Sequence, residues 1–314
     1  MKFKRIWRGM FPKYWDVTMW AILLQQHVVF CHRNENTNRR IIMKIEIDSG
    51  ETTTVQTIYN SILGSRNNIV FLARISDARS HLKIDRIGAF DVNYMSFRWE
   101  IDEAVIVEKY KVPTINEFTG DWCTIGNKKI YLNDGRLLIN RKLTDCYWPV
   151  DENLSLVQKN DVLACVDSNG ITIWEYQGYF GSHFQGTFGE QLIFFTPLNE
   201  LVILNKLTGG KIEEICLLQA RLTTRRIFGN FEVFNSHSFE NTTIADGVVN
   251  ENIVAWIDEN YAFNITNRQT KTVKTFSYPN SSIPYLSQIN KEELLIFELE
   301  NEDYGSLVIG TLEE

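Results

Sequence analysis

The stretch Gln191–Lys211, QLIFFTPLNELVILNKLTGGK, holds the pattern that decides the fold. The apolar run Gln191 to Phe195 is followed by the turn-forming Thr196 to Glu200 and a second apolar run, Leu201 to Leu204. The polar Asn205-Lys206-Leu207-Thr208 then closes that run before Gly209-Gly210-Lys211-Ile212. Two short apolar runs joined by turn formers read as an antiparallel hairpin, and the closing turn marks the start of a further strand.

The arrangement recurs. One copy is Lys129 to Leu132, Asn133-Asp134-Gly135, Arg136 to Ile139; another is Val162 to Val166, Asp167-Ser168-Asn169-Gly170, Ile171 to Trp174; a third is Ile253 to Ile257, Asp258-Glu259-Asn260, Tyr261 to Ile265. Asn-Gly and Asp-Gly suit such bends because tight hairpins demand positive φ. Closing turns recur as Asn267-Arg268-Gln269-Thr270, Asn140 to Thr144 and Asp48-Ser49-Gly50-Glu51. The hairpins begin near residues 130, 162, 192 and 253, and the last step is long enough for two repeats. This predicts a further member near 222, with Ile227-Phe228, Gly229-Asn230 and Phe231 to Phe234 as its candidate. Val28 to Cys31, Ile69 to Ala73 and Ala104 to Val107 mark strand starts upstream, and Leu294 to Glu298 with Leu307 to Ile309 supply a last pair.

No long amphipathic helix is legible; the best stretch, Asp16 to Gln26, does not hold a 3.6 period. Short strands at regular intervals mean an all-β protein. One barrel or sandwich would leave most of so many strands unburied over 314 residues, whereas radial repetition of small sheets scales to this length. The expected fold is a single β-propeller domain over 1–314 with about seven blades, six to eight being compatible, each a four-stranded antiparallel sheet.

Composition agrees with a packed globular chain: 44% of residues are hydrophobic and 23% charged. The net charge of −7 argues against nucleic acid and anionic membrane as partners. Cys31, Cys123, Cys146, Cys165 and Cys216 are odd in number and widely spaced, which predicts buried reduced thiols in a cytoplasm. Lys2, Lys4, Arg5 and Arg8 precede an apolar stretch, but Asp16 and Gln25-Gln26-His27 interrupt it and no small-x-small site follows, so a signal peptide is not expected.

The repeats resemble those of the quinoprotein-like and WD40-like propeller superfamilies. There a turn of the form Asp/Asn-x-x-Thr-Gly-Lys links the third and fourth strands, and Asn205 to Lys211 is similar, with Asp48 to Glu51 and Asn267 to Lys271 as weaker matches. The chain lacks the vicinal cysteine pair and repeated tryptophan-docking motif of cofactor-binding quinoproteins, and the Gly-His and closing Trp-Asp pair that WD40 repeats carry in each blade, Trp15-Asp16 being one isolated dipeptide. The resemblance implies fold alone.

Chemistry is sparse. His27, His32, His81, His183 and His237 stand at no metal-ligand spacing, and there is no nucleophile elbow, Walker lysine or dinucleotide fingerprint. No cofactor or metal is expected. Tyr176 to Glu190 is dense in glycine and aromatics, suiting either a ligand mouth or an inter-blade crossing. Arg221, Arg225 and Arg226 form a basic cluster, which reads as an acid-binding clamp or a solvated face with short ion pairs. Isolated acids such as Asp134 read as turn formers, and Glu298 to Asp303 as a charged turn or edge strand.

The sequence therefore favours a non-enzymatic protein-binding propeller, monomeric and cytoplasmic, with an immunity-type protein that neutralises a basic toxin as a special case. Tyr179, Phe180, His183, Arg225 and Arg226 are the expected binding residues, since aromatics and arginine anchor interfaces. The alternatives are a propeller hydrolase or lyase acting on carbohydrate or peptide in the central channel, and a carbohydrate-binding lectin-like propeller.

Overall fold

A computed structural model describes residues 1–10, 21–34, 39–78, 81–102, 105–108, 121–125, 128–139, 148–150, 153–159, 162–178, 184–196, 199–223, 244–300 and 304–312. Among these residues every regular element is a β-strand. The strands group into seven sheets of three to five strands and one two-stranded ribbon.

In chain order, sheet 1 comprises Ala21–Leu23, His27–Asn34, Arg39–Glu46 and Thr52–Gln56. Sheet 2 comprises Ser61–Arg66, Ile69–Ala78, His81–Asp91 and Ser96–Ile101, with Val105–Glu108 added beside His81–Asp91. Sheet 3 holds Trp122–Ile125, Lys128–Tyr131 and Leu137–Ile139, and sheet 4 holds Trp148–Pro149, Leu154–Lys159, Val162–Asp167 and Thr172–Gln177. Sheet 5 is Phe184–Phe188, Gln191–Phe195, Glu200–Asn205 and Lys211–Cys216; sheet 6 is Gly247–Val249, Ile253–Ile257, Phe263–Asn267 and Val273–Phe276. Sheet 7 takes Ile283–Asn290, Glu293–Leu299 and Tyr304–Thr311 from the C-terminal end and its fourth strand, Lys2–Met10, from the N-terminal end. All pairings are antiparallel, as hairpin connections require.

Alternation along a strand explains why the apolar runs are continuous. Successive side chains point to opposite sheet faces, and here both faces are covered. Leu192 and Phe194 pack toward sheet 4, while Ile193 and Phe195 pack toward sheet 6. Likewise Leu294 and Ile296 face sheet 6, and Leu295 and Phe297 face sheet 1. Six apolar clusters of this kind join sheets 1 and 2, 2 and 3, 4 and 5, 5 and 6, 6 and 7, and 7 and 1. The predicted extra member at 227–234 lies outside the described residues, but sheets 5 and 6 on either side of it pack directly on one another.

The closing turn fixes each sheet to its neighbour. Asn205 Oδ1 accepts the N–H groups of Leu207 and Thr208 at 2.9 and 3.0 Å, and Asn267 does the same for Gln269 and Thr270. The next amide, Lys206 N–H, donates to Glu190 O in the first turn of its sheet, a bond repeated by Arg268 to Asn252. Contrary to the sequence expectation, tryptophan docking does repeat. Trp174, on the fourth strand of sheet 4, donates Nε1–H to Lys206 O at 2.8 Å and lies against Gly209 in sheet 5; Trp99 does so to Leu132 O at 3.1 Å and lies against Gly135 in sheet 3. Elsewhere the same link is polar: Lys4 Nζ donates to Ile47 O at 2.5 Å, and Glu213 accepts from Arg268 Nε at 3.0 Å.

Candidate functional site

Antiparallel order sorts the loops onto two faces. The first turn of each sheet and, where one joins its third and fourth strands, the third turn lie at one edge. The second turns and the crossovers to the next innermost strand lie at the other. Connections with variable sequence on such a rigid frame are where binding residues concentrate.

The crossover face is best defined around sheets 6 and 7. After Cys216 the chain runs through Leu217 to Thr223 and returns at Ile244, Leu222 and Thr223 pairing with Ala245 and Ile244. The crossover is pinned by Trp256, whose Nε1–H donates to Leu218 O at 3.1 Å, and by the bridge between Ala220 and Asp258. Arg221 is the hub. Its guanidinium pairs with Asp246, donates to Pro284 O at 2.5 Å, and lies 5.1 Å from the Tyr261 ring centre and 4.5 Å from that of Tyr285. Asp246 in turn accepts Leu286 N–H at 3.2 Å. Only 14% of the Arg221 side chain is exposed and its guanidinium is already paired with Asp246, so it is not a free clamp, although its Nε is buried with no hydrogen-bond partner among the described residues. Of the two readings the sequence offered, the clamp and the solvated face with short ion pairs, Arg221 keeps the ion pair of the second but is largely buried rather than solvated.

Around this hub several large apolar side chains are exposed among polar turn residues such as Gln219, Glu259 and Asn260. Leu218 is 67% exposed, and Leu222, Tyr261 and Ile283 are also exposed. Gln219 and Tyr261 adopt left-handed φ of 51° and 63°, which turns the crossover and the second turn of sheet 6 outward. Large exposed hydrophobics on a fixed backbone are an interaction signature.

Behind it sits a second ion pair. Glu298, wholly buried, accepts Arg5 Nη2 at 3.0 Å through Oε2, and through Oε1 accepts Tyr278 Oη–H, Asn280 Nδ2–H and, at 3.0 Å, Ser282 Oγ–H. Burial pushes its carboxyl upward, but the donors outweigh that and hold it below the usual range. The expectation of a charged turn or edge strand over Glu298 to Asp303 is thus corrected at its first residue, which is the most buried acid of sheet 7 and is paired on both sides. Residues 301–303 lie outside the described residues.

The five residues expected to bind, Tyr179, Phe180, His183, Arg225 and Arg226, also lie outside the described residues; the described chain stops at Gly178 and Thr223 and resumes at Phe184 and Ile244. The site residues that sequence reasoning missed are Asp246, Tyr261 and Tyr285, which reach Arg221 across sheet boundaries. Among the described residues no group of three His, Cys, Asp or Glu is arranged to hold a metal ion. Cys31, Cys123 and Cys165 are buried and in no disulfide, as expected, with Cys31 and Cys123 pushed up to about 12 by burial; Cys216 is exposed, contrary to expectation. Cys146 lies outside the described residues.

No protein-family model and no curated protein matches the chain. Solved structures do. The β-propeller domain of Cps50 (Swd1) from Myceliophteria thermophila aligns with TM-score 0.56 at 7% identity, covering 98% of this chain and 100% of that one. The fold is a β-propeller. The propeller is also similar to the WD40 propeller domain of Doa1, with TM-score 0.49, 9% identity and coverage of 99% and 98%. BamB from Moraxella catarrhalis aligns with TM-score 0.47 at 13% identity, covering 100% of the propeller chain and 99% of BamB. At such identities the likeness concerns fold alone.

Proposed function

We propose that this propeller is a non-enzymatic protein-binding scaffold, working as one unit over 1–314, and that its partner docks on the crossover face beside Arg221. The observation that carries this reading is the group Leu218, Leu222, Tyr261 and Ile283, exposed on a backbone fixed by the Arg221–Asp246 pair and the Trp256 bond. A preorganised apolar patch loses little conformational freedom on binding. Tyr179, Phe180, His183, Arg225 and Arg226 belong to the binding residues in this reading, as residue types that anchor interfaces. The net charge of −7 favours a basic partner, with an immunity-type role against a basic toxin as the specific case. Monomeric state and cytoplasmic location belong to the same proposal.

Site-directed photo-crosslinking in source cells tests it. A crosslinker at Leu218 is expected to trap one basic protein, in a complex lost with Tyr261→Ala and weakened by salt. A crosslinker at Tyr94, which is 78% exposed in the third turn of sheet 2 on the opposite face, serves as control. Equal trapping from both positions, or none from Leu218, contradicts the proposal.

A further inference from the structure

The two ion pairs are not independent. Pro284, whose carbonyl accepts from Arg221, is the ladder partner of Glu298, so Arg221 and Arg5 grip opposite sides of one strand pair. Asp246 holds the next stretch of the same inner strand through Leu286 N–H. The N-terminal strand reaches the 277–282 crossover a second time, because the Phe3 ring meets the Tyr278 ring edge-on at 5.1 Å and Tyr278 donates to Glu298. Arg8 adds a pair to Glu300 at 2.7 Å beside this junction. A continuous set of contacts therefore runs from Lys2–Met10 through Glu298 and Pro284 to the guanidinium that braces the exposed patch.

We propose that the N-terminal strand is a latch coupled to the crossover face: its seating on Tyr304–Thr311 sets the inner strand Ile283–Asn290, and with it the Arg221–Asp246 brace, so that loosening either end loosens the other. Reciprocity follows from linkage, since a free energy shared by two sites acts in both directions. The coupling holds whether or not the face binds a protein. If a partner does dock there, seating of the N-terminal strand and partner affinity rise together.

Native-state hydrogen exchange on the full chain tests this. Arg5→Gln is expected to speed exchange of the Arg221, Asp246 and Leu286 amides at least about fivefold, the low end of measured coupling between linked sites. Asp246→Asn is expected to speed exchange of the Lys4 to Arg8 amides comparably. Arg74→Gln, which removes the exposed pair with Asp85 in sheet 2, leaves both sets unchanged. Arg5→Lys and Arg221→Lys, which keep the charges, give the same reciprocal pattern at smaller amplitude if the first variants do not fold. Exchange changes confined to each mutated strand and its direct ladder partners, or transmitted in one direction only, overturn the latch.

Discussion

Gly209→Ala separates the docking of one blade on the next from the turn itself. Gly209 has φ +68°, and a Cβ there would lie 2.4 Å from Trp174 Cε3. Gly170, in the matching turn of sheet 4, has φ +82° with open space around its Cβ position. Both alanines incur the backbone cost of a left-handed residue, about 1–2 kcal/mol. Gly209→Ala also displaces a nearly buried tryptophan. That threatens the 2.8 Å bond to Lys206 O, about 1 kcal/mol, and overpacks the contact, about 1–3 kcal/mol. We expect Gly209→Ala to cost about 3–6 kcal/mol and Gly170→Ala about 1–2 kcal/mol. Urea unfolding followed by far-UV circular dichroism, with matched m-values, gives both. Equal destabilisation would refute inter-blade docking as the function of that glycine.

Glu298 has a depressed folded pKa, so its ion pair with Arg5 stabilises the protein fully above the unfolded Glu value of about 4.3 and loses that contribution as pH falls through the folded value. Glu298→Gln is therefore expected to lower the melting temperature at pH 7 and to narrow its gap from wild type in strong acid; a gap that widens with acid contradicts the assignment. Iodoacetamide at pH 8 is expected to label Cys216 in the native protein and to spare Cys31, Cys123 and Cys165 until denaturant is added, which peptide mass mapping reads directly. Deleting residues 1–10 uncovers the edge of Tyr304–Thr311 and one flank of Leu307 and Ile309, and is expected to give aggregation in light scattering. A soluble, cooperatively melting truncation counts against closure by this strand.

The hairpins were legible because a blade's second and third strands are buried on both faces, so Leu192-Ile193-Phe194-Phe195 reads as an unbroken apolar run between Asn- and Gly-rich turns. First strands such as Ala21–Leu23 and Gly247–Val249 were not, being only three residues long. Docking escaped notice because Trp99 and Trp174 reach their acceptor carbonyls 33 and 32 residues onward; a tryptophan followed at that distance by a glycine-bearing turn is the signal that finds both. Arg221 and Asp246 are 25 residues apart in sequence and meet only because the crossover returns on itself. Glu298 reads as surface from its acidic neighbours. Its burial depends on donors from the 278–282 crossover and on Arg5 at the far end of the chain.

Pairing of the N-terminal strand with Tyr304–Thr311 is the claim on which the make-up of sheet 7 and the latch both rest. Lys2 and Thr311 are ladder partners at the exposed end of that pairing. The paired substitutions Lys2→Cys and Thr311→Cys, in a Cys216→Ser background, place two thiols within the Cα separation a disulfide tolerates. Mild oxidation is predicted to give a single-chain product with a faster non-reducing mobility, and mass spectrometry a disulfide-linked peptide that joins the two ends of the chain. Only intermolecular dimers, or no link at all in a folded sample, would contradict the account.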